Sequence, residues 1–235
     1  MGISREESNK IRRAVKHFED NLHHFELVAE TVHRYFLKDK VLSSLVHSMK
    51  YRVKDPTHLK DKLRRKALNA IAKGEVPEVR HDNLFEKVSD LAGVRLLHLH
   101  PHQIEKIIPE ILRVLEENNC PVVEGPFAYT WDDETRALLT SIGLETEYKP
   151  ELYTSIHLVV ELNTKAHWQC EIQIRTLMEE VWGEVSHIVN YPHPTKSVAC
   201  AEQLKVLARV ASGATRLVDS IFASCDEYAK MLSKK

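Results

Sequence analysis

The segment Trp168-Gln169-Cys170-Glu171-Ile172-Gln173-Ile174-Arg175 alternates without interruption. Trp168, Cys170, Ile172 and Ile174 fall on one side of an extended chain, and Gln169, Glu171, Gln173 and Arg175 on the other. Just upstream, Ile156, Leu158, Val160 and Leu162 alternate in the same way, with His157 and Glu161 opposite. Two such strands side by side form a sheet with one apolar face and one face carrying His157, Glu171, Gln173 and Arg175. An ordinary half-solvated sheet has the same alternation. A carboxylate in mid-strand with a glutamine and an arginine as its period-two neighbours makes this face a candidate site as well.

The remaining elements follow from periodicity and caps. Ser4 and Glu7 form a capping-box signature, and Ile11, Val15, Phe18, Leu22, Phe25, Ala29, Val32 and Phe36 then recur at steps of four and three. This predicts a long helix, or two broken near Asp20-Asn21, whose apolar seam meets its own domain or a partner. Val41 to Asp55 reads as extended, and Asp55-Pro56 opens a helix buried through Leu59, Leu63, Ala67 and Ile71. Leu84 to Ser89 reads as a short helix and Val94 to Leu99 as a central strand. Gln103 to Asn118 reads as an amphipathic helix kinked or broken at Pro109, and Val122 to Trp131 as a strand. Asp132-Asp133-Glu134 and Gly143 mark a loop-rich acidic insertion. Thr176 and Glu179 cap a helix expected to bury Leu177, Val181, Trp182, Val185 and Ile188, with Glu180, Glu184 and His187 on another face. Asn190 to Lys196, with two prolines, reads as a linker. A last helix, or a pair weakened at Ser212-Gly213, closes the chain.

Composition narrows the class. With 235 residues, 43% hydrophobic and 29% charged, the chain fits a soluble globular protein with one sizeable core. The N-terminus is polar and no apolar run reaches membrane-spanning length. The four cysteines lack C-x-x-C spacing, which suggests thiols in a reducing cytoplasm. A net charge of −1 argues against a general nucleic-acid coat protein, yet Lys50 to Lys66 holds eight Lys/Arg against two Asp.

The polar residues form one constellation: the acids Asp90 and Glu171, the cations Arg52, Lys54, Lys62, Arg95, Lys149 and Arg175, and Tyr153 beside a strand. No G-x-x-x-x-G-K-[ST] or G-x-G-x-x-G occurs, so side chains would have to hold any phosphates. Converging carboxylates repel unless a divalent cation bridges them. Cations, Mg2+ on two acids and an exposed aromatic are the components of phosphoryl-type transfer. His98, His100 and His102 lack partners at zinc-ligand spacing, and Glu184 and His187 occur once, not in the paired form of a di-iron site.

Arg52-x-Lys54 with Lys62, Asp90-x-x-Gly93-x-Arg95, Tyr153-x-Ser155-x-His157 and Glu171-Ile172-Gln173-Ile174-Arg175-Thr176, then Trp182 and His187, resemble in order the synthetase domain of RelA/SpoT-type alarmone synthetases. The resemblance implies an α+β fold, a nucleotidyltransferase-like mixed β-sheet flanked by helices at 41–195. Helical extensions would occupy 1–40 and 196–235, as in a small stand-alone member. It also implies transfer of the β,γ-pyrophosphate of ATP to the 3′-hydroxyl of GDP or GTP. Asp90 and Glu171 would hold Mg2+, Glu171 also taking the hydroxyl proton. Arg52 and Arg95 would sandwich adenine, and Lys54 and Lys62 would neutralise donor phosphates. Tyr153 would stack on the acceptor base, Lys149 and His157 would contact acceptor phosphates, and Gln173 and Arg175 would support the site.

Departures fall on or beside the acceptor side. His58 replaces the usual Ser, Glu151-Leu152 replaces Asn-Gly before the tyrosine, and the R-x-K-D element before Lys149 is missing. Glu151 is a candidate for reading the guanine edge, since a carboxylate accepts from N1–H and the exocyclic amine. Besides the free-nucleotide synthetase, the residues allow a relative that pyrophosphorylates the 3′ end of tRNA, with Arg64, Arg65, Lys66 and Lys234-Lys235 as its basic surface. They also allow a catalytically silent nucleotide-binding module, and a homo-oligomer through the terminal helices.

Overall fold

The computed structural model describes residues 2–164, 167–191 and 194–233. Pro192 of the expected linker, and Lys234 and Lys235, lie outside them. The strands are β1 (Ser48–Val53), β2 (Ala92–His98), β3 (Val122–Thr130), β4 (Glu145–Tyr148), β5 (Ser155–Glu161) and β6 (Gln169–Thr176). They form one six-stranded sheet in the order β1-β2-β6-β5-β3-β4. The β2/β6 and β3/β4 pairs are parallel and the others antiparallel, so the sheet is mixed.

Register turns the alternation into two chemically distinct faces. Val94 pairs with Ile172 and Leu96 with Ile174, while Leu158 pairs with Ile172 and Ile156 with Ile174. These residues are buried. The opposite face carries two rows across the strands. One runs Lys50, Arg95, Gln173, His157, and the next Arg52, Gly93, Glu171, Val159.

Helices α1 (Arg5–Asp20) and α2 (Leu22–Lys38) break at Asn21 as the sequence suggests. Their seam is buried in the same core as the apolar sheet face, with Phe18, Ala29, Val32 and Phe36 at 0% exposure. It meets its own domain and is not a free partner seam. Asp55 caps α4 (Pro56–Ala72) by accepting from the Thr57 and His58 amides. The short α5 (Leu84–Lys87) leads to a 3-10 turn, Ser89–Leu91, and α6 (Ile104–Glu117) runs unbroken through Pro109.

Several expectations are corrected. Residues 41–55 are not all extended: Asp39 accepts from the Leu42 amide and opens α3 (Lys40–Leu45), which buries Leu42. The acidic run at 132–134 does not mark a loop. Asp132 caps α7 (Asp133–Ser141), where Asp133 and Glu134 favour the positive helix end, and β4 follows. In α8 (Leu177–Asn190) Trp182 of the expected apolar stripe is buried, but Val181, Val185 and Ile188 face outward, at 52%, 37% and 77% exposure. Glu180 and Trp182 are the buried residues. The reason is electrostatic: Glu180 lies against Arg95, Arg175 and Lys50. Gly213 does not divide α9, which is one helix, Val198–Leu232. Among the described residues no helix is long and apolar enough to cross a membrane.

Candidate active site

Asp90 sits on the 3-10 turn that feeds β2, held between two ammonium groups. Lys54 Nζ donates to Oδ2 at 2.7 Å, and Lys62 Nζ lies 2.7 Å from Oδ1. Each carboxylate oxygen of Asp90 therefore meets its own ammonium. Burial by itself raises the Asp90 carboxyl, and Lys62 and Lys54 outweigh it, holding its pKa at about 2. Burial pulls the Lys54 ammonium down despite Asp90.

Glu171 stands mid-strand beside Gly93 on β2. Its Oε2 accepts from Gln173 Nε2 at 2.7 Å, and Oε1 lies 3.2 Å from His157 Nδ1. Burial pushes this carboxyl up; His157 and Gln173 outweigh burial and the like charge of Asp90, so it lies below its usual range. Two ionised carboxylates that sense each other suit a hard divalent cation. Among the described residues no group of three His, Cys, Asp or Glu side chains forms a metal cage. Mg2+ sites commonly take only one or two carboxylates and complete their shell with water and substrate phosphates.

A cleft of about 200 Å³ opens over the polar face, lined by Lys50, Arg52, Gly93, Arg95, Glu171 and Glu184 among others. Arg95 is fixed at its edge. Its Nη1 donates to Glu180 Oε1 and Oε2 at 2.8 and 2.9 Å and to Glu184 Oε1 at 3.0 Å, and Nε to Gln173 Oε1 at 3.2 Å. In-plane bonding of this kind leaves the π-faces of a guanidinium available for stacking. Arg52 is exposed, with no hydrogen bond or ion pair among the described residues. Sequence reasoning set Glu180 and Glu184 on a separate face and missed that this face closes on Arg95; their i,i+4 spacing was the available signal. Beside the cleft, His187 stacks on Tyr191 with centroids 4.7 Å apart, and His58 lies 4.5 Å from the same ring.

The residues predicted for the acceptor are placed less uniformly. The Tyr153 hydroxyl lies 2.8 Å from His157 Nε2 and accepts from Arg175 Nη2 at 3.1 Å. Its ring packs with Leu152 against the small cluster of Trp182, Ala208 and Ala211. Lys149 is paired with Glu147 and lies 4.5 Å from the centroid of Tyr129, a ring the sequence reading passed over. Tyr129 meets His157 edge-on at 5.0 Å. Glu151 is exposed and is not drawn into this cluster. Leu152 has φ +62°, a left-handed backbone angle that a β-carbon disfavours.

The sequence profile of a region found in RelA / SpoT proteins matches residues 51–196. The chain belongs to the RelA/SpoT family. Among solved structures it is similar to small alarmone synthetase 1 from Bacillus subtilis, with 22% identity, TM-score 0.65, and coverage of 89% of this chain and 98% of that one. The same enzyme bound to its product pppGpp aligns with 23% identity and TM-score 0.61 over 91% and 99%. Its complex with AMPCPP aligns with 22% identity and TM-score 0.59 over 90% and 99%. At these identities the likeness establishes the fold, the mixed sheet flanked by helices. A comparison with curated protein sequences gives no match.

Proposed function

We propose that this RelA/SpoT-family protein transfers the β,γ-pyrophosphate of ATP to the 3′-hydroxyl of GDP or GTP, making (p)ppGpp. The observation that carries the reading is the pair of ionised carboxylates, Asp90 and Glu171, beside a cleft lined by Arg52 and Arg95. Adenine stacks between the two guanidinium groups, and Lys54 and Lys62 turn to the donor phosphates. Asp90 and Glu171 hold Mg2+, which when bound supplies charge neutralisation for the donor. Glu171, kept ionised by its partners, accepts the 3′-hydroxyl proton as the oxygen attacks the β-phosphorus, and the bond from that phosphorus to the oxygen bridging the α-phosphate breaks to release AMP. Tyr153 stacks on the acceptor base, Lys149 faces the acceptor phosphates, and Glu151 reads the guanine edge. That the Bacillus subtilis relative is bound to pppGpp and, separately, to AMPCPP supports a nucleotide at each end of the cleft.

The test is incubation with γ-labelled ATP and Mg2+, offering GDP, GTP, ADP and deacylated tRNA separately. Labelled guanine nucleotide is expected, with Glu151→Ala lowering the GDP-over-ADP preference in kcat/KM. Label on tRNA alone replaces the acceptor assignment. No transfer, with AMPCPP still bound, leaves a silent nucleotide-binding module.

A further inference from the structure

Hydrogen-bond accounting around Glu171 leads to a residue that lies outside its immediate shell. Arg175 Nη2 donates to Gln173 Oε1 at 2.9 Å and to the Tyr153 hydroxyl at 3.1 Å. Guanidinium only donates, so both partners accept from it. Gln173 turns its amide oxygen to Arg175 and Arg95, which leaves its Nε2 to donate to Glu171 Oε2. The Tyr153 hydroxyl, already accepting from Arg175, has one proton and a ring nitrogen of His157 at 2.8 Å to receive it. His157 Nε2 is then the acceptor, its proton sits on Nδ1, and Nδ1 points to Glu171 Oε1 at 3.2 Å. The opposite tautomer would set a nitrogen lone pair against a carboxylate.

Two chains of donors therefore start on one cation and end on the two oxygens of one carboxylate. We propose that Arg175 is a positioning residue that fixes Glu171 through two arms, Gln173 on one side and Tyr153 with His157 on the other. The surroundings fit this role. Arg175 is 5% exposed, and Glu180 on α8 lies 3.4 Å from its Nη1. Where α8 crosses it the helix carries Gly183, at which an added Cβ would stand 2.8 Å from Nη1. In this account the Tyr153 hydroxyl has a task separate from the ring, since the ring can stack on a base without it.

The proposal rests on Glu171 being the base of the proposed transfer, and its test separates the two. Tyr153→Phe keeps the ring and cuts one arm; Gln173→Met keeps the length and cuts the other. Each is expected to lower kcat about tenfold, as for loss of one hydrogen bond to a charged group. In Tyr153→Phe the acceptor KM should stay within about twofold, and AMPCPP binding and thermal midpoint near wild type; Gln173→Met also frees Arg95, so AMPCPP binding weakens as well. A kcat within about twofold of wild type in Tyr153→Phe, or a loss confined to KM, overturns the proposal. Independently of activity, 15N NMR of His157, assigned with His157→Gln, should show the Nδ1–H tautomer in wild type and a mixture in Tyr153→Phe. An Nε2–H tautomer in wild type overturns the arms even if transfer is robust. The Nδ1–H tautomer in a protein that transfers nothing keeps the arms and removes the proposed function.

Discussion

The proposed donor and acceptor sides of the site are assembled differently. On the donor side the charged groups are interlocked: Lys54 and Lys62 on Asp90, and Arg95 on Glu180 and Glu184. Arg52 alone among the predicted donor residues has no side-chain hydrogen bond or ion pair among the described residues. On the acceptor side Lys149 is engaged with Glu147, Glu151 lies exposed, and Leu152 holds a left-handed turn. Phosphates on either side must compete with a carboxylate for their lysines, with half-buried Asp90 for Lys54 and Lys62 on one side and with exposed Glu147 for Lys149 on the other. Affinity is expected to be set on the side where four cations gather and selectivity on the other.

The most damaging test strikes where the halves meet. Glu171→Gln should reduce turnover at least about a hundredfold, the general-base range, while AMPCPP still binds by calorimetry. Activity above about a tenth of wild type would remove Glu171 from the chemistry. Next, Arg95→Lys keeps the charge but loses the flat stacking face and the bonds to two carboxylates, so the Kd for AMPCPP should rise about tenfold. Equal affinities would make the donor half no better organised than the acceptor half. Glu147→Gln releases Lys149, and the KM for GDP should fall about threefold, in line with an exposed ion pair. An unchanged KM would place Lys149 away from the acceptor phosphates. Smallest is Leu152→Gly, which relieves a left-handed residue at about 1 kcal/mol but gives up packing near Trp182. A stability change within about 1 kcal/mol by denaturant titration is expected. A loss above about 2 kcal/mol would show the acceptor turn to be held chiefly by that packing.

How far the sequence could be read depended on the distance over which a residue finds its partner. β5 and β6 were legible because alternation is local, and the Asp55-Pro56 and Thr176–Glu179 caps were legible for the same reason. Family motifs placed Asp90, Lys54 and Lys62 together, and the structure brings these three side chains into contact. Helix α8 was misread because its apolar and acidic stripes have the same helical period. Nothing within the helix says that Arg95, distant in sequence, will draw the acidic one inward. Leu152 was invisible as a strained position, since a leucine gives no sign of the backbone angle that its neighbours impose.

Helix α9 is the longest element, 35 residues or about 50 Å. Its buried residues, Ala208, Ala211 and Thr215, lie in the first half. Further on, Asp219 receives His100 Nδ1 at 2.7 Å and His102 Nδ1 at 2.5 Å from the turn that follows β2, and Phe222 stacks on His100 with centroids 4.6 Å apart. Past that clasp the helix is no longer than isolated helices that barely persist in water. Its amide protons should therefore exchange with deuterium on a steep gradient, slow up to Phe222 and fast toward Leu232. Any molecule that seats on the outward Leu217, Ile221 and Tyr228, exposed at 63%, 53% and 64%, would announce itself by flattening that gradient.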